Sequence, residues 1–408
     1  MRVLFLTQVV AYPLDAGPKV RAYYVLRQLA AAGHDVTLVT FTRDTDRPDD
    51  LAHLRSLCQE VRTVPMVRSA RREALAFARS LPTPEPFLIA RDRVPALTKL
   101  LAALVGRRPP FDVVHADQLW MAPYALGAAS AGAGARPRTV LDQHNAVFQV
   151  PLRLAVAERG LARRLALRLE AVKLKRFERR TCGRFDHVVW VTGEDRAALF
   201  GAAPVRAPER ESVIPICVDP AAAPVVDRDP AGRRVTFLGG LHWPPNAAGI
   251  GWFAREAWPR VRAAVPDARL TVVGRRPPDD LLSLAAADPT IEVAGYVDDP
   301  RPLLAQTAAF VVPLRAGGGM RVKILDAWRW GLPVVTTTIG AEGLVARDGD
   351  NALVADTAEA LADAVVRLLG APNLASRLAA SGRRTVEAHY DWRRVYPAWD
   401  RAWCPSAP

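Results

Sequence analysis

Ala309-Phe310-Val311-Val312-Pro313-Leu314-Arg315-Ala316-Gly317-Gly318-Gly319-Met320-Arg321-Val322-Lys323-Ile324-Leu325-Asp326 is the stretch on which the fold turns. Its opening residues are apolar on both faces, as a strand covered on two sides must be. Three glycines then lead into a helix, so the backbone of Gly317, Gly318 and Gly319 can approach a ligand closely. The free N–H groups and positive dipole end of that helix favour a diphosphate, with Met320 in the turn and Arg321 and Lys323 adding cations. Asp326 lies one to two turns further on, where a carboxylate can accept from ribose hydroxyls. The plainer alternative is a glycine-rich turn beside a solvated basic face.

Working outward, the same alternation of apolar run and helix-length segment recurs. Runs lie at Val3–Thr7, Val36–Phe41, Val61–Met66, Val113–Ala116, Thr139–Asp142 and Val188–Thr192. The pattern then pauses between Gly201 and Arg234, where six prolines (Pro204, Pro208, Pro215, Pro220, Pro224, Pro230) mark a connection between domains. It restarts at Val235–Leu238, Leu270–Val273, Ile291–Val293, Ala309–Pro313, Val334–Thr337 and Ala352–Val354. This predicts an α/β protein of two doubly wound Rossmann-like domains facing a cleft. The expected division is 1–215 and 216–388, with 389–408 packing back on the first domain. In that last segment Trp392, Tyr396, Trp399 and Trp403 recur at spacings near 3 and 4, which predicts a helix with a buried aromatic stripe.

Length and composition agree with two lobes. The chain has 408 residues, 50% hydrophobic and 24% charged, far from the composition of disordered chains. The net charge of +13 favours anionic partners, and Cys58, Cys182, Cys217 and Cys404 form no Cys-x-x-Cys pair. A reducing, cytoplasmic setting is expected. Gln118–Ala135 is free of charge but too polar to span a bilayer. Between Arg153 and Arg184, eleven cations face three glutamates, net +8, with Leu161, Leu165, Leu169, Val172 and Phe177 at helical spacing. That makes segment 153–184 a basic amphipathic helix able to lie on an anionic membrane surface at the inner face, or else a solvated helix face. Nucleic acid is not expected, because a single aromatic, Phe177, stands among these cations and no recognised binding motif is present.

Other loops follow strand ends. Gly239 and Gly240 end the Val235–Leu238 strand ahead of Leu241-His242-Trp243-Pro244-Pro245-Asn246, a turn that could touch phosphate. Gly17, Lys19 and Arg21 open the helix after the first strand and suit an anionic or sugar acceptor. His144 sits just past the Thr139–Asp142 strand, a position that suits a functional histidine as well as a satisfied structural one, and His115 has a similar place in weaker surroundings. Asp44-Thr45-Asp46 imitates a metal motif inside a charged loop, and no metal is expected. There is no Gly-x-Ser-x-Gly elbow, no His-Glu-x-x-His and no nucleoside-triphosphate loop.

Taken together these residues resemble the retaining glycosyltransferases of family 4, which have the GT-B fold, from the first strand to the last helix. The stretch from Val312 through Asp326-Ala327 to Trp330-Gly331-Leu332-Pro333-Val334-Val335 looks like the family's donor motif and the strand after it. Phe237 through Asn246, Asp142-Gln143-His144-Asn145 and Phe185-Asp186-His187-Val188-Val189 match in order and spacing. The resemblance implies a nucleotide-diphosphate-sugar donor in the C-terminal lobe, with Asp326 holding the ribose and the glycine loop, Arg321 and Lys323 neutralising the diphosphate. His144 would point at the transferred sugar, and the terminal helix would cross back to the N-terminal lobe. Transfer to a hydroxyl of a glycan or lipid-linked acceptor would proceed with retention, without metal, cofactor or protein nucleophile.

This sequence departs from the family pattern at three places. The motif Glu, seven residues, Glu falls on Gly318 and Asp326. The usual Arg and Lys of the first donor-lobe loop are Gly240 and Pro245, which shifts charge neutralisation to Arg321, Lys323 and Arg275. The usual Asn-Gly after Ile-Pro is Ile216-Cys217. These changes motivate a second reading, a catalytically silent homologue acting as a binding partner in glycan assembly.

Overall fold

The computed structural model describes residues 1–132, 134–201 and 209–404. The chain forms two compact units, Met1–Cys217 with the chain from Val395 onward, and Val218–Arg394. Pro204 and Pro208 of the proline-rich connection, and residues 405–408 of the terminal segment, lie outside the described residues. No helix among the described residues is long and apolar enough to cross a membrane.

The first unit carries β1 (Arg2–Thr7), β2 (Asp35–Thr42), β3 (Glu60–Pro65), β4 (Val113–Asp117), β5 (Arg138–Gln143), β6 (His187–Trp190) and β7 (Glu211–Val213). They pair in the order β3-β2-β1-β4-β5-β6-β7, and all pairs are parallel. Val3 aligns with Val36 on one side and Val113 on the other. Val3, Leu4, Phe5 and Leu6 are all fully buried, so the unbroken apolar run reports helices on both faces of the sheet. β7 is an addition to the expected strands. It is a three-residue edge strand whose Glu211 pairs with Arg196 at 2.6 Å and whose Val213 is exposed, so it carries no apolar signature.

The second unit repeats the plan with β8 (Arg234–Leu238), β9 (Arg269–Val273), β10 (Ile291–Gly295), β11 (Thr307–Val312), β12 (Val334–Thr336) and β13 (Leu353–Val354) in the order β10-β9-β8-β11-β12-β13, again parallel throughout. In each sheet the strand order reverses beside the first strand, between β1 and β4 and between β8 and β11. Loops leaving the carboxyl ends there diverge to opposite faces and open a crevice for a ligand.

The terminal aromatic stripe is buried as expected, with Tyr396 and Trp399 wholly enclosed and Trp403 nearly so. It is not one helix. Trp392–Val395 and Asp400–Trp403 are single α-turns separated by a 3₁₀ turn over Tyr396–Trp399. Pro397 lacks the N–H that a continuous helix needs at that point. The stripe returns to the first unit, where Arg138 Nε donates to Ala402 O at 2.7 Å and Trp403 stands beside His115.

Candidate functional site

In the first unit the helix Gly17–Ala31 follows β1, and its Arg21 is fully buried. The guanidinium meets both oxygens of Asp142, Nε at 2.9 Å and Nη2 at 3.0 Å, and Nη1 donates to Pro215 O at 2.6 Å and Tyr396 Oη at 3.2 Å. It lies 4.8 Å from the Trp399 ring centre. This corrects the expectation that Arg21 meets an acceptor: buried fork geometry makes it the tie between the first helix, β5 and the returning terminus. Gly17 and Lys19 keep partial exposure, and Lys19 pairs with Asp15 at 2.9 Å.

His144 lies just beyond β5 with 9% exposure. Its Nε2 is 2.9 Å from Asp117 Oδ1 and 3.4 Å from Asp142 Oδ2, and the Gln118 amide sits 3.2 Å from Nδ1. Burial alone would depress the imidazole, but the Asp117 and Asp142 carboxylates outweigh it and push His144 up to about 9. Burial also raises Asp117, whereas Asp142, though buried, is held well below the usual range by Arg21 and His144. The expectation that His144 points at a sugar is therefore modified. Nε2 is held by the two carboxylates and the ring is nearly enclosed, so what it presents is a positive charge and little else.

Sequence reasoning passed over Asp117 and Gln118. The signal was a carboxylate closing a strand, followed by a residue with φ of 72°, a left-handed conformation that Gln rarely adopts. It also missed Glu178, counted there only as a charge offset. Glu178 is wholly buried and accepts from Val147 N at 2.7 Å, Phe148 N at 3.1 Å and Gln143 Nε2 at 2.8 Å, fixing the loop after His144. Burial pushes it up to about 8 against those donors. His115 is a core residue, stacked on Phe5 at 4.2 Å and depressed to about 3 by burial.

Asp117, Asp142 and His144 place possible ligand atoms within 4.8 Å of one another. A divalent cation fits this set poorly, because Arg21 already neutralises Asp142 and His144 fills the space between the carboxylates.

In the second unit the glycine turn follows β11 and the Gly239-Gly240 turn follows β8, on either side of the strand-order reversal. Gly317 has φ of 130° and Gly319 φ of 73°, conformations that favour glycine. The helix then runs Val322–Arg329. Lys323 Nζ donates to Asn246 Oδ1 at 2.8 Å, Asn246 Nδ2 donates to Gly240 O at 2.8 Å, and the ammonium lies 4.5 Å from the Phe237 ring centre. A Cβ on Gly239 would run into Lys323 Nζ, so glycine there makes room for the lysine. Burial, with the charge of Arg321, lowers Lys323 to about 7.

Arg321 has another task than the one expected of it. Its Nη1 donates to Gly318 O and Gly319 O, both at 2.5 Å, and Nη2 lies 3.4 Å from Ile339 O and 3.8 Å from Glu342. At 8% exposure it staples the glycine turn from behind. Glu342, unnoticed in the sequence, thereby stands beside the turn in which Gly318 occupies the glutamate position. Asp326 pairs with Arg329 Nε at 2.9 Å and keeps 17% side-chain exposure, and burial raises it despite that partner. Arg275 is exposed, 3.7 Å from the Tyr296 ring centre, and Met320 is buried.

Both units are similar to known proteins. Residues 16–217 match the model of the glycosyl transferase 4-like domain, and residues 232–371 match that of glycosyl transferases group 1. A phosphatidyl-myo-inositol mannosyltransferase of Mycobacterium leprae is 32% identical over 169 residues, 40% of this chain and 44% of that one. The lipopolysaccharide core biosynthesis glycosyltransferase LpsE of Rhizobium meliloti is 30% identical over 143 residues, 34% of this chain and 42% of its own. The chain thus aligns with less than half the length of these curated relatives. Among solved structures, HepE of Anabaena in complex with UDP and glucose superposes with a TM-score of 0.66 at 14% identity, covering 98% of both chains. Sucrose-phosphate synthase of Thermosynechococcus elongatus does so at 0.69 and 17% identity, again over 98% of both. Two parallel Rossmann-like sheets of this strand order, and two family models that together span most of the sequence, establish that the chain belongs to the group 1, family 4-like glycosyl transferases and has the GT-B fold.

Proposed function

We propose that the protein transfers a sugar from a nucleotide-diphosphate sugar to a hydroxyl of a glycan or lipid-linked acceptor, with retention and without a metal ion or cofactor. The observation that carries this reading is the seat of Lys323. A partly buried ammonium lies at the start of a helix, beside two glycine turns, at the strand-order reversal of the second sheet. Backbone N–H groups, a helix dipole and one cation are the elements that bind a diphosphate. The relatives support the substrate classes: HepE is seen with UDP and glucose, and the mycobacterial enzyme is named for a phosphoinositide acceptor.

In this reading the C1–O bond to the diphosphate breaks as the acceptor oxygen attacks from the same face. The electron pair leaves with the diphosphate, and the acceptor proton passes to one of its oxygens. Lys323 stabilises the charge that develops there, which is where catalysis gains most. Arg321 contributes by holding the glycine turn, and Asp326 takes the ribose with the oxygen facing away from Arg329. Gly239, Gly240, Gly317, Gly318 and Gly319 supply close backbone approach, Met320 and Arg275 border the donor, and Glu342 serves the sugar hydroxyls near Gly318. In the first unit Gly17, Lys19 and the fixed charge of His144 serve the acceptor side. The free cysteines suit a reducing cytoplasmic setting.

The test is a thermal-shift panel of UDP, GDP, dTDP and CDP with their sugar conjugates, repeated with Asp326→Ala. A ligand at 100-fold over its dissociation constant adds about 2.7 kcal/mol to the folded state. Stabilisation by one nucleotide family, lost in the variant and unaffected by a chelator, is expected. Silence with every nucleotide would overturn the transferase reading in favour of a silent partner.

A further inference from the structure

Ten of the fifteen exposed large hydrophobic side chains among the described residues belong to two stretches of the first unit. Leu152, Val156, Leu161, Leu165, Leu169 and Val172 lie on or just before the helix Leu161–Cys182, and Val67, Leu75, Phe77 and Leu81 lie on or beside the helix Ala70–Ser80. The two stretches are neighbours. Lys173 Nζ donates to Ser80 O at 2.7 Å and Leu81 O at 3.2 Å, Glu170 accepts from Phe87 N and Leu88 N, and the Phe77 and Phe87 rings are 5.6 Å apart.

The long helix is divided by face. At 3.6 residues per turn, Leu161, Leu165, Leu169 and Val172 fall within an arc of about 80°, with Arg168 and Arg176 in or beside it. Ala171, Leu174, Glu178 and Cys182 occupy the buried side. Phe177, grouped with the leucines in the sequence reading, turns inward and packs on the core. The helix Ala70–Ser80 is stranger: only Ser80 is buried. A helix of eleven residues with so little packing has no interior to stabilise it, and its apolar side chains face water. Its exposed cations include Arg71 and Arg79.

We propose that these two helices form one composite surface that docks on an anionic lipid bilayer. Aliphatic side chains enter the headgroup boundary while arginine stems lie along them and carry their charge to lipid phosphates. The aliphatic character separates this from other occupants. Protein interfaces centre on Trp and Tyr, with Leu and Val under-represented, and single-stranded nucleic acid needs aromatic platforms. The inference rests on the proposed lipid-linked acceptor for its purpose, and on the surface alone for its chemistry.

The experiment is co-sedimentation of the full chain with phosphatidylcholine vesicles, with and without phosphatidylglycerol. Binding to the anionic vesicles only is expected, weakening between 0.1 M and 1 M salt as the Debye length shrinks from about 10 Å to about 3 Å. Each cation near the surface is worth about fivefold, so Arg71→Glu with Arg79→Glu should lower partitioning at least tenfold. Leu165→Glu with Leu169→Glu should do the same, and all four positions are exposed, so folding is preserved. Equal binding to neutral vesicles, no binding, or wild-type binding by either variant pair overturns the composite surface. So does a dimer in light scattering that the leucine variants convert to monomer, which would make the face a contact between copies. Nucleotide thermal shifts on the same samples keep the two readings apart: a shift without vesicle binding sinks the surface alone, and vesicle binding without a shift sinks the transferase alone.

Discussion

Lys323 gives the sharpest quantitative test. Burial and the neighbouring Arg321 hold it at about 7 in the free protein, well below the ordinary lysine value of about 10.4. At pH 8 only about a tenth of the molecules carry the proton, so a diphosphate that demands an ammonium must draw in roughly 0.9 proton on binding. Affinity is then strongest below pH 7 and falls by up to tenfold per unit above it. A hydrogen bond to a charged group is worth about 1.5–3 kcal/mol, so Lys323→Met, which keeps the length of the chain, should weaken nucleoside diphosphate binding by about 10- to 150-fold at pH 6. At pH 9, two units above the free value, protonation costs about 2.7 kcal/mol, and the gap between variant and wild type should nearly close. Titration calorimetry in two buffers of different ionisation enthalpy reads the proton count directly. Uptake near zero at pH 8, or an unchanged pH slope in Lys323→Met, would refute the seating of the diphosphate on this lysine.

Gly239→Ala places a Cβ against Lys323 Nζ and Asn246 Nδ2, so it should lower diphosphate affinity at least tenfold by displacing the ammonium. Combined with Lys323→Met it should add little, and additive losses in calorimetry would show that the two positions act separately. Arg21→Met breaks the buried fork on Asp142 and leaves that carboxylate with His144 as its remaining cation, a loss of about 3–5 kcal/mol in urea unfolding. A cost below about 1 kcal/mol would restore Arg21 to the acceptor role. His144, raised to about 9 from an unfolded value near 6.5, contributes stability that is fully present below pH 6.5 and lost as pH rises through 9. The change is about 3 kcal/mol, and denaturant melts of His144→Gln across that window should be flat where the wild type falls.

How far the sequence could be read depended on the range of the interaction. The central strands announce themselves because a parallel sheet covered on both faces demands uninterrupted apolar runs, as in Val3–Leu6 or Phe310–Val312, while the outer β3 and β10 show a weaker, interrupted version of the same pattern. β7 does not, since an edge strand of three residues needs no such run and Glu211 answers to Arg196 instead. The terminal stripe kept its helical spacing although Pro397 breaks the helix, because three tight turns in series still bring Tyr396, Trp399 and Trp403 to one side. Periodicity reports which residues face inward, and it is blind to how the backbone gets them there.

The candidate site was harder for a different reason. Sequence position tells that a residue leaves a strand end or enters a helix, and on that ground Arg21, His144, Arg321, Lys323 and Asp326 were all candidates. What separates them is the partner each finds, and the partners lie far away along the chain. Arg21 closes on Asp142 across 121 positions and Lys323 on Asn246 across 77. Arg321 shows the opposite case, since its partners Gly318 and Gly319 are two and three residues back, within the motif itself. Three glycines in a row lose the most conformational entropy on folding, and a guanidinium that donates to two of their carbonyls is a direct means of holding the turn. The motif therefore brings its own brace. An arginine in such a turn is better expected to shape the ligand's seat, and the lysine one helical step on, given room by a glycine from another strand, to touch the ligand.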